Sequence, residues 1–281
     1  MSTLEKSRAT FVPGPDRLRF SGVLRSEFIK LTSLRSTIGL LLAIPLFGLA
    51  VSAALGLTLE DAGLPGQASV GFMLDQVTIG TVLFGQLIAG VLGVLVISSE
   101  YSSGTIQSTL IAVPTRLSVL AAKAVVLFLT VTASALVALF GSWALTYPMF
   151  ERFGIEIGLS EPGVLMALVG GAVYVGLSAI LGLGIGALLR AVAAGVATVI
   201  SVILLLPIVL SVLPASQLVR NVHLLSMSKA GDAMSSAAEF DGGFLNLANG
   251  YVSSAAGWLV AAVWAGAFLV LGAIRLRRGD A

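Results

Sequence analysis

Six stretches of the chain, residues 37–59, 77–99, 124–147, 162–189, 191–213 and 252–274, each exceed 20 residues and contain no Asp, Glu, Lys, Arg or His. About 20 apolar residues in a helix cross the ~30 Å hydrocarbon layer of a bilayer. Lipid offers the backbone no hydrogen-bond partners, so such runs fold as helices. Charged residues make up only 11% of the sequence and hydrophobic ones 57%, with a mean hydropathy of +1.03. A soluble domain carries about 25% charged residues, so a water-exposed globular fold is excluded. Disorder is excluded for the opposite reason, because disordered chains are poor in apolar residues. The expected fold class is all-α: a polytopic membrane protein with six transmembrane helices. The first run starts too far into the chain, and is too long, for a cleaved signal peptide. Arg190 alone separates the fourth and fifth runs. One helix of that combined length would overshoot any membrane, so a tight hairpin is expected there.

Lys and Arg in the connections set the orientation. Thirteen of the 16 fall on one side, seven of them ahead of residue 36 and three at Arg275, Arg277 and Arg278. The opposite side holds Arg152, Arg220 and Lys229 together with nine carboxylates. Both termini are therefore expected in the cytoplasm. Trp143, Tyr147 and Tyr251 then fall at the outer interface, where amphipathic rings prefer to lie. The expected organisation is a flexible N-terminus (1–16), an interface helix (17–35), a six-span domain (36–275) and a short tail (276–281).

Several chemistries lack their residues. There is no cysteine, hence no disulfide, thiolate metal site or cysteine nucleophile. The single histidine, His223, has no second base or ligand set at workable spacing. The six runs as drawn hold no ionisable group, so a proton relay at membrane depth is not expected. No G-x-x-x-x-G-K-[ST] loop occurs, so the chain does not bind ATP in that manner. Gly182, Gly184 and Gly186 follow no strand. They are expected to pack helices closely, with Gly182 and Gly186 as a small-xxx-small pair. A net charge of +2 does not imply nucleic acid.

Two segments on the basic side carry a pattern. Phe20, Leu24, Phe28, Leu31 and Leu34 recur at helical spacing and predict an amphipathic helix lying in the inner interface, its basic residues toward anionic lipid. Glu27 falls on the apolar side of that helix. It either pairs with a cation on another segment or a partner protein, or stays near the surface with Lys30 or Arg35. In the second connection, Ser102 or Ser103 is placed to cap a short helix that Pro114 ends, giving two to three turns over about 102–113.

Taken together, the stretch Arg25-Ser26-Glu27-Phe28-Ile29-Lys30-Leu31, the block Glu100-Tyr101-Ser102-Ser103-Gly104-Thr105, Pro114-x-Arg116, Lys123 and the turn Leu188-Leu189-Arg190 resemble the permease subunits of ABC-2 type transporters, particularly the short bacterial six-span kind. The resemblance covers about residues 18–274, and the 100–116 block is its most specific part. It implies a multi-pass subunit of the bacterial inner membrane that pairs with a second permease chain, as a homodimer, and with two copies of a cytoplasmic ABC ATPase. Helix 102–113 would then be the coupling helix. Glu100, Tyr101, Gly104 and Thr105 would lie near the ATPase, with Pro114 and Arg116 ordering the loop exit. The interface helix would contribute Arg25, Glu27, Lys30 and Arg35. Glu100 is expected to pair with Arg116 or Arg25. No cofactor is expected on this chain; ATP and Mg belong to the partner ATPase.

The connection 214–251 is the longest. Val222, Leu225, Met234 and Ala237 suggest one amphipathic helix and Asp241-Gly242-Gly243 a turn; by resemblance, the segment is an outer re-entrant gate. The same resemblance places the substrate path beside the first, second and fifth spans, making Gln86, Thr198 and Ser201 its candidate lining. Pro45 and Pro207 are expected to kink the first and fifth spans. Mostly aliphatic spans favour an amphipathic or hydrophobic substrate such as a drug, peptide or lipid over a small ion. The leading expectation is thus an exporter's membrane subunit. An autonomous channel or secondary carrier is the alternative, and an intramembrane enzyme lacks paired catalytic groups.

Overall fold

The computed structural model describes residues 20–62, 69–105, 116–154, 158–214, 216–237, 244–247 and 250–278. Helix α1 (Phe20–Ser33) precedes six segments long and apolar enough to cross a membrane. These are α2 (Arg35–Ala62), α3 (Val70–Ser102), α4 (Arg116–Glu151), α5 (Val164–Leu189), the pair α6 (Val192–Ile200) and α7 (Leu206–Val212), and the last helix, α10 (Ser254–Arg278). Between the fifth and sixth spans lie α8 (Gln217–Leu224), α9 (Met227–Met234) and a two-residue antiparallel pairing of β1 (Leu245–Asn246) with β2 (Tyr251–Val252). The fold is all-α apart from that pairing, and the helices of the second and third spans outrun the uncharged stretches. Asp75, Glu100 and Lys123, which flank those stretches in the sequence, are therefore helical residues.

Helix α5 is central, packing against α3, α4 and α10. In its most apolar stretch 72% of residues are buried within the protein, against 17% for α2 and for the fifth span. Glycines let the backbones close in. A Cβ on Gly182 would run into the backbone of Gly90, and one on Gly186 would sit 2.6 Å from Ile97 Cγ2 and 3.0 Å from Ser98 Oγ. Gly184 faces the other way, onto the backbone of Phe268 and Leu269 in α10. The expected Gly182/Gly186 pair is thus one side of a two-sided seam.

The hairpin between the fourth and fifth spans turns on Arg190 (φ 57°), the one non-glycine residue with positive φ among those described. This left-handed geometry costs a side-chain-bearing residue about 1–2 kcal/mol. Several contacts hold it. The Arg190 N–H donates to the Gly186 carbonyl (2.8 Å), its Nη2 donates to the Arg275 carbonyl (3.1 Å), and its guanidinium lies 5.0 Å from the centre of the Tyr101 ring.

Helix α2 stays helical through Pro45, and the fifth span meets Pro207 with a π-helical turn at Ser201–Leu205. Proline brings no N–H and its ring crowds the carbonyl four residues back, and a widened turn absorbs both. Segment 214–251 forms two short helices rather than one. Ser216 and Ser226 each cap one of them through the side chain. Met234 is buried while Val222 and Leu225 are exposed, so those residues do not share one apolar face; Asp241-Gly242-Gly243 lies outside the described residues. On α1, the protein-facing line is Val23, Glu27 and Leu31, while Phe20, Phe28 and Leu34 are exposed. The reason is electrostatic and lies in the site described next.

A buried charge cluster at the basic end and a cavity at the acidic end

Three helices meet where α1 lies across the ends of α3 and α4. Glu27 from α1 and Lys123 from α4 are each only 3% exposed at the side chain, and Lys123 Nζ donates to Glu27 Oε2 at 2.5 Å. Lys123 also donates to Glu100 Oε1 at 2.9 Å. Lys30, one turn along α1 from Glu27, donates to Glu27 Oε1 (2.9 Å) and to Glu100 Oε1 (3.2 Å). Two carboxylates and two ammoniums therefore alternate around a closed ring drawn from α1, α3 and α4. Isolated charges at this depth carry a desolvation cost of several kcal/mol each, and the neutral ring offsets it. Burial works against the charge of Glu27, yet the Lys123 ammonium with its hydrogen bond, joined by Lys30, holds the Glu27 pKa below its ordinary value. Burial likewise works against Lys30, yet its hydrogen bond to Glu27 and the charges of Glu100 and Glu27 hold its pKa above the ordinary lysine value. This ring turns the 23–27–31 face of α1 toward the protein.

Beside the ring a cavity of about 840 Å³ opens between α1, α2, α3 and α4, with Leu34, Leu40, Leu95 and Val126 among its apolar walls. Immediately beyond Glu100 the second span stops. Ser103 caps its C-terminus, Gly104 takes φ 70°, and Ser103 Oγ lies 2.9 Å from Thr105 Oγ1. Ser103 thus ends α3 instead of starting the next helix. The rest of the expected coupling helix, residues 106–113, lies outside the described residues, as does Pro114. Arg116 opens α4, but its side chain also lies outside them. Gly104 has open space where a Cβ would be, so its local requirement is the left-handed backbone, which glycine adopts without strain.

At the other end, a cavity of about 570 Å³ runs down one face of α3 from Asp75 past Thr78 and Leu83 to Gln86, closed on its other side by Lys229 and Asp232 of α9 and by Tyr251. At its foot the fully buried Tyr174 of α5 donates its hydroxyl to Gln86 Oε1. A Cβ on Gly231 of α9 would overlap the Tyr174 ring, so this short helix rests directly on that tyrosine.

The model of the family described as "ABC-2 family transporter protein" matches residues 23–213, from α1 through the end of the fifth span. The chain belongs to this family. A search of curated proteins finds no match. The protein is a multi-pass membrane permease of an ABC transporter. ABC-2 permeases are transport subunits and their membership implies association with an ABC ATPase.

In this ABC-2 permease the structure brings together Glu27, Lys30 and Glu100 of the expected site residues. Of the two alternatives for Glu27, both partners are present, Lys30 from its own helix and Lys123 from another. Glu100 pairs with Lys30 and Lys123; Arg25 and Arg35 are exposed and take no part in the ring. Tyr101 carries the Arg190 guanidinium over its ring, which ties the end of α3 to the hairpin between the fourth and fifth spans. Gln86 does line a cavity, but Thr198 and Ser201 do not join it. Their hydroxyls bond back to Ala194 and Ala197 carbonyls at 2.8 Å on an outer face of the fifth span. The half-buried His223 has no metal partners, as no group of three or more metal-capable side chains occurs among the described residues. Lys123, which the sequence reading quoted only as part of the resemblance, and Tyr174, which it did not single out, are also site residues. Lys123 and Glu100 each abut an uncharged run at the same end of consecutive antiparallel spans, which is the pattern that places them side by side. Tyr174 is the one tyrosine in the middle of such a run, Tyr147 standing at the end of another.

Proposed function

We propose that this ABC-2 permease is the membrane subunit of an ATP-driven exporter of amphipathic or hydrophobic substrates, such as drugs, peptides or lipids. Its basic end faces the cytoplasm of a bacterial inner membrane. Two copies of the permease, as a homodimer, assemble with two ATPase subunits, which bind ATP and Mg; the segment 102–113 seats on the ATPase, and nucleic acid plays no part. The observation carrying this reading is the Glu27–Lys123–Glu100–Lys30 ring. It ties the amphipathic helix α1 to the end of α3, from which the 102–113 segment departs. A push on that segment when the ATPases close is delivered to Glu100, and through Lys30 and Lys123 it moves α1 and α4 together. The route out then lies along α3 toward the Gln86 cavity, with α8 and α9 as the outer gate.

Gentle detergent extraction from the native membrane, followed by mass spectrometry and an ATPase assay on the purified material, tests the assembly. A P-loop ATPase is expected in about equal amount with the permease. Replacement of Gly104 by Trp is expected to abolish ATPase recovery while membrane insertion persists. Normal ATPase recruitment by that variant, or a permease that purifies alone, sinks the reading.

A further inference from the structure

We infer that the cavity at the acidic end is a binding site for an organic cation of amphipathic shape. This deepens the proposed function by naming a substrate class for the exit side of the same permease, and it rests on that reading only for the direction of transport.

The cavity is graded along its length. Its lining on α3, Asp75, Thr78, Ile79, Val82, Leu83 and Gln86, recurs at steps of three and four and so occupies one helix face. From Asp75 to Gln86 that face is about 16 Å long at 1.5 Å per residue. At the mouth stand Asp75 and Asp232 with Lys229. Lys229 is committed to Asp232 at 3.0 Å, while Asp75 has no ion pair or hydrogen bond among the described residues. The mouth therefore carries one uncompensated negative charge, which favours a cation and disfavours an anion. The middle is aliphatic. Two polar side chains almost completely withdrawn from solvent line the cavity at different depths, Thr78 (2% exposed) one turn from Asp75 and Gln86 (3% exposed) at the foot. Tyr174 occupies Gln86 Oε1. The Gln86 amide nitrogen and the Thr78 hydroxyl have no hydrogen-bond partner among the described residues.

Polar side chains this far withdrawn are nearly always satisfied; the Thr78 hydroxyl and the Gln86 amide nitrogen open onto the cavity without a protein partner, so water or the acceptors of a ligand complete them. A ligand meeting all three zones has a cationic head at Asp75 and Asp232 close to the Thr78 hydroxyl, an apolar body along Ile79, Val82 and Leu83, and a carbonyl or ether oxygen reaching the Gln86 amide nitrogen. No set of three metal-capable side chains occurs among the described residues, so the charge selected is a diffuse organic one.

Rhodamine 6G has this make-up: one delocalised positive charge, a flat apolar body and an ester carbonyl. Its binding is measured by fluorescence anisotropy to the purified permease in nanodiscs of zwitterionic lipid, without ATP or ATPase. Loss of ATPase coupling and loss of this site are then read separately. Saturable binding is expected, weakened about tenfold or more by the double variant D75N/D232N. Both aspartates are exposed, and their replacement leaves no buried group unpaired. Leu83→Trp, at a 40% exposed position in the cavity wall, is expected to block binding with both charges in place. Fluorescein ethyl ester, the anionic relative of the dye, is expected not to bind. Binding that is unaltered in D75N/D232N or in Leu83→Trp, or equal affinity for the anionic dye, overturns the inference.

Discussion

At the scale of single residues, the ring of Glu27, Lys30, Glu100 and Lys123 sets the strongest expectations, because its charges depend on one another. Removing one member of a buried ion pair leaves an uncompensated charge and costs about 3–5 kcal/mol. Lys123→Met strips the 3%-exposed Glu27 of its closest partner and is expected to lower the detergent melting temperature sharply. The double variant E27L/K123M removes one charge of each sign and leaves Lys30 beside Glu100, so its loss is expected to be about 1 kcal/mol or less. Equal losses in the single and double variants would show that packing, not charge balance, sets the stability of the joint. The same ring predicts a pH profile. The Glu27 pKa is depressed from 4.5, so its stabilisation is present above that pH and is lost as pH falls through the lower, folded value. The Lys30 pKa is raised from 10.5, so its contribution is complete below that pH and is lost as pH rises through the higher, folded value. Melting temperature is therefore expected to show a plateau between about pH 5 and 10 for these two groups, with an acid limb that Glu27→Gln flattens.

At the scale of elements, the fold is a seam of glycines around α5, and substitutions separate packing from propensity. Gly182→Ala places a methyl against the backbone of Gly90. Neither helix can yield there except by moving apart, so a loss of about 1–3 kcal/mol is expected. Gly266 in α10 has nothing within 4 Å of the equivalent position, and Gly266→Ala is expected to be neutral or to gain up to about 1 kcal/mol from helix propensity. Equilibrium unfolding of the two variants in one detergent distinguishes the cases; a neutral Gly182→Ala would mean that α3 and α5 are not in contact at that level. Much of this scale was legible in the sequence. Uncharged length placed all six spans, Arg190 marked the hairpin, and small residues four apart marked one seam. What was not legible depended on neighbours distant in the chain. Gly184 meets α10 some 80 residues away, and Lys123 and Glu100 become a pair only when α3 and α4 stand antiparallel. The inward turn of α1 follows from Glu27 finding a cation on α4, which outweighs the periodicity of Phe20 and Phe28. The role of Thr198 and Ser201 was not legible either, because a hydroxyl in an apolar helix satisfies itself on the preceding turn, as both do, whether or not it lines a path.

At the scale of the whole molecule, burial is unevenly shared, and that bears on assembly. Helix α5 is enclosed, whereas α2 and the fifth span leave most of their apolar faces outward, with Leu46 66%, Val209 53% and Val212 81% exposed. In a bilayer, exposure of this kind carries no penalty, because lipid tails are as apolar as leucine. The open faces alone therefore do not distinguish a dimer contact from a lipid contact. The proposed homodimer makes the distinction measurable. A two-fold interface brings the same patch of each protomer together, so a cysteine close to the axis cross-links to its own copy. The chain has no cysteine, and single substitutions read out without background. Leu46→Cys and Val209→Cys are expected to give oxidant-dependent dimers in native membranes, because the first and fifth spans flank the proposed path. Val263→Cys, 60% exposed on α10, is expected to stay monomeric on a denaturing gel. If Val263→Cys cross-links while the other two do not, the axis passes the last span and the path lies elsewhere. If none does, the two copies are held apart by lipid, and the cavity along α3 of each protomer must serve as a complete path by itself.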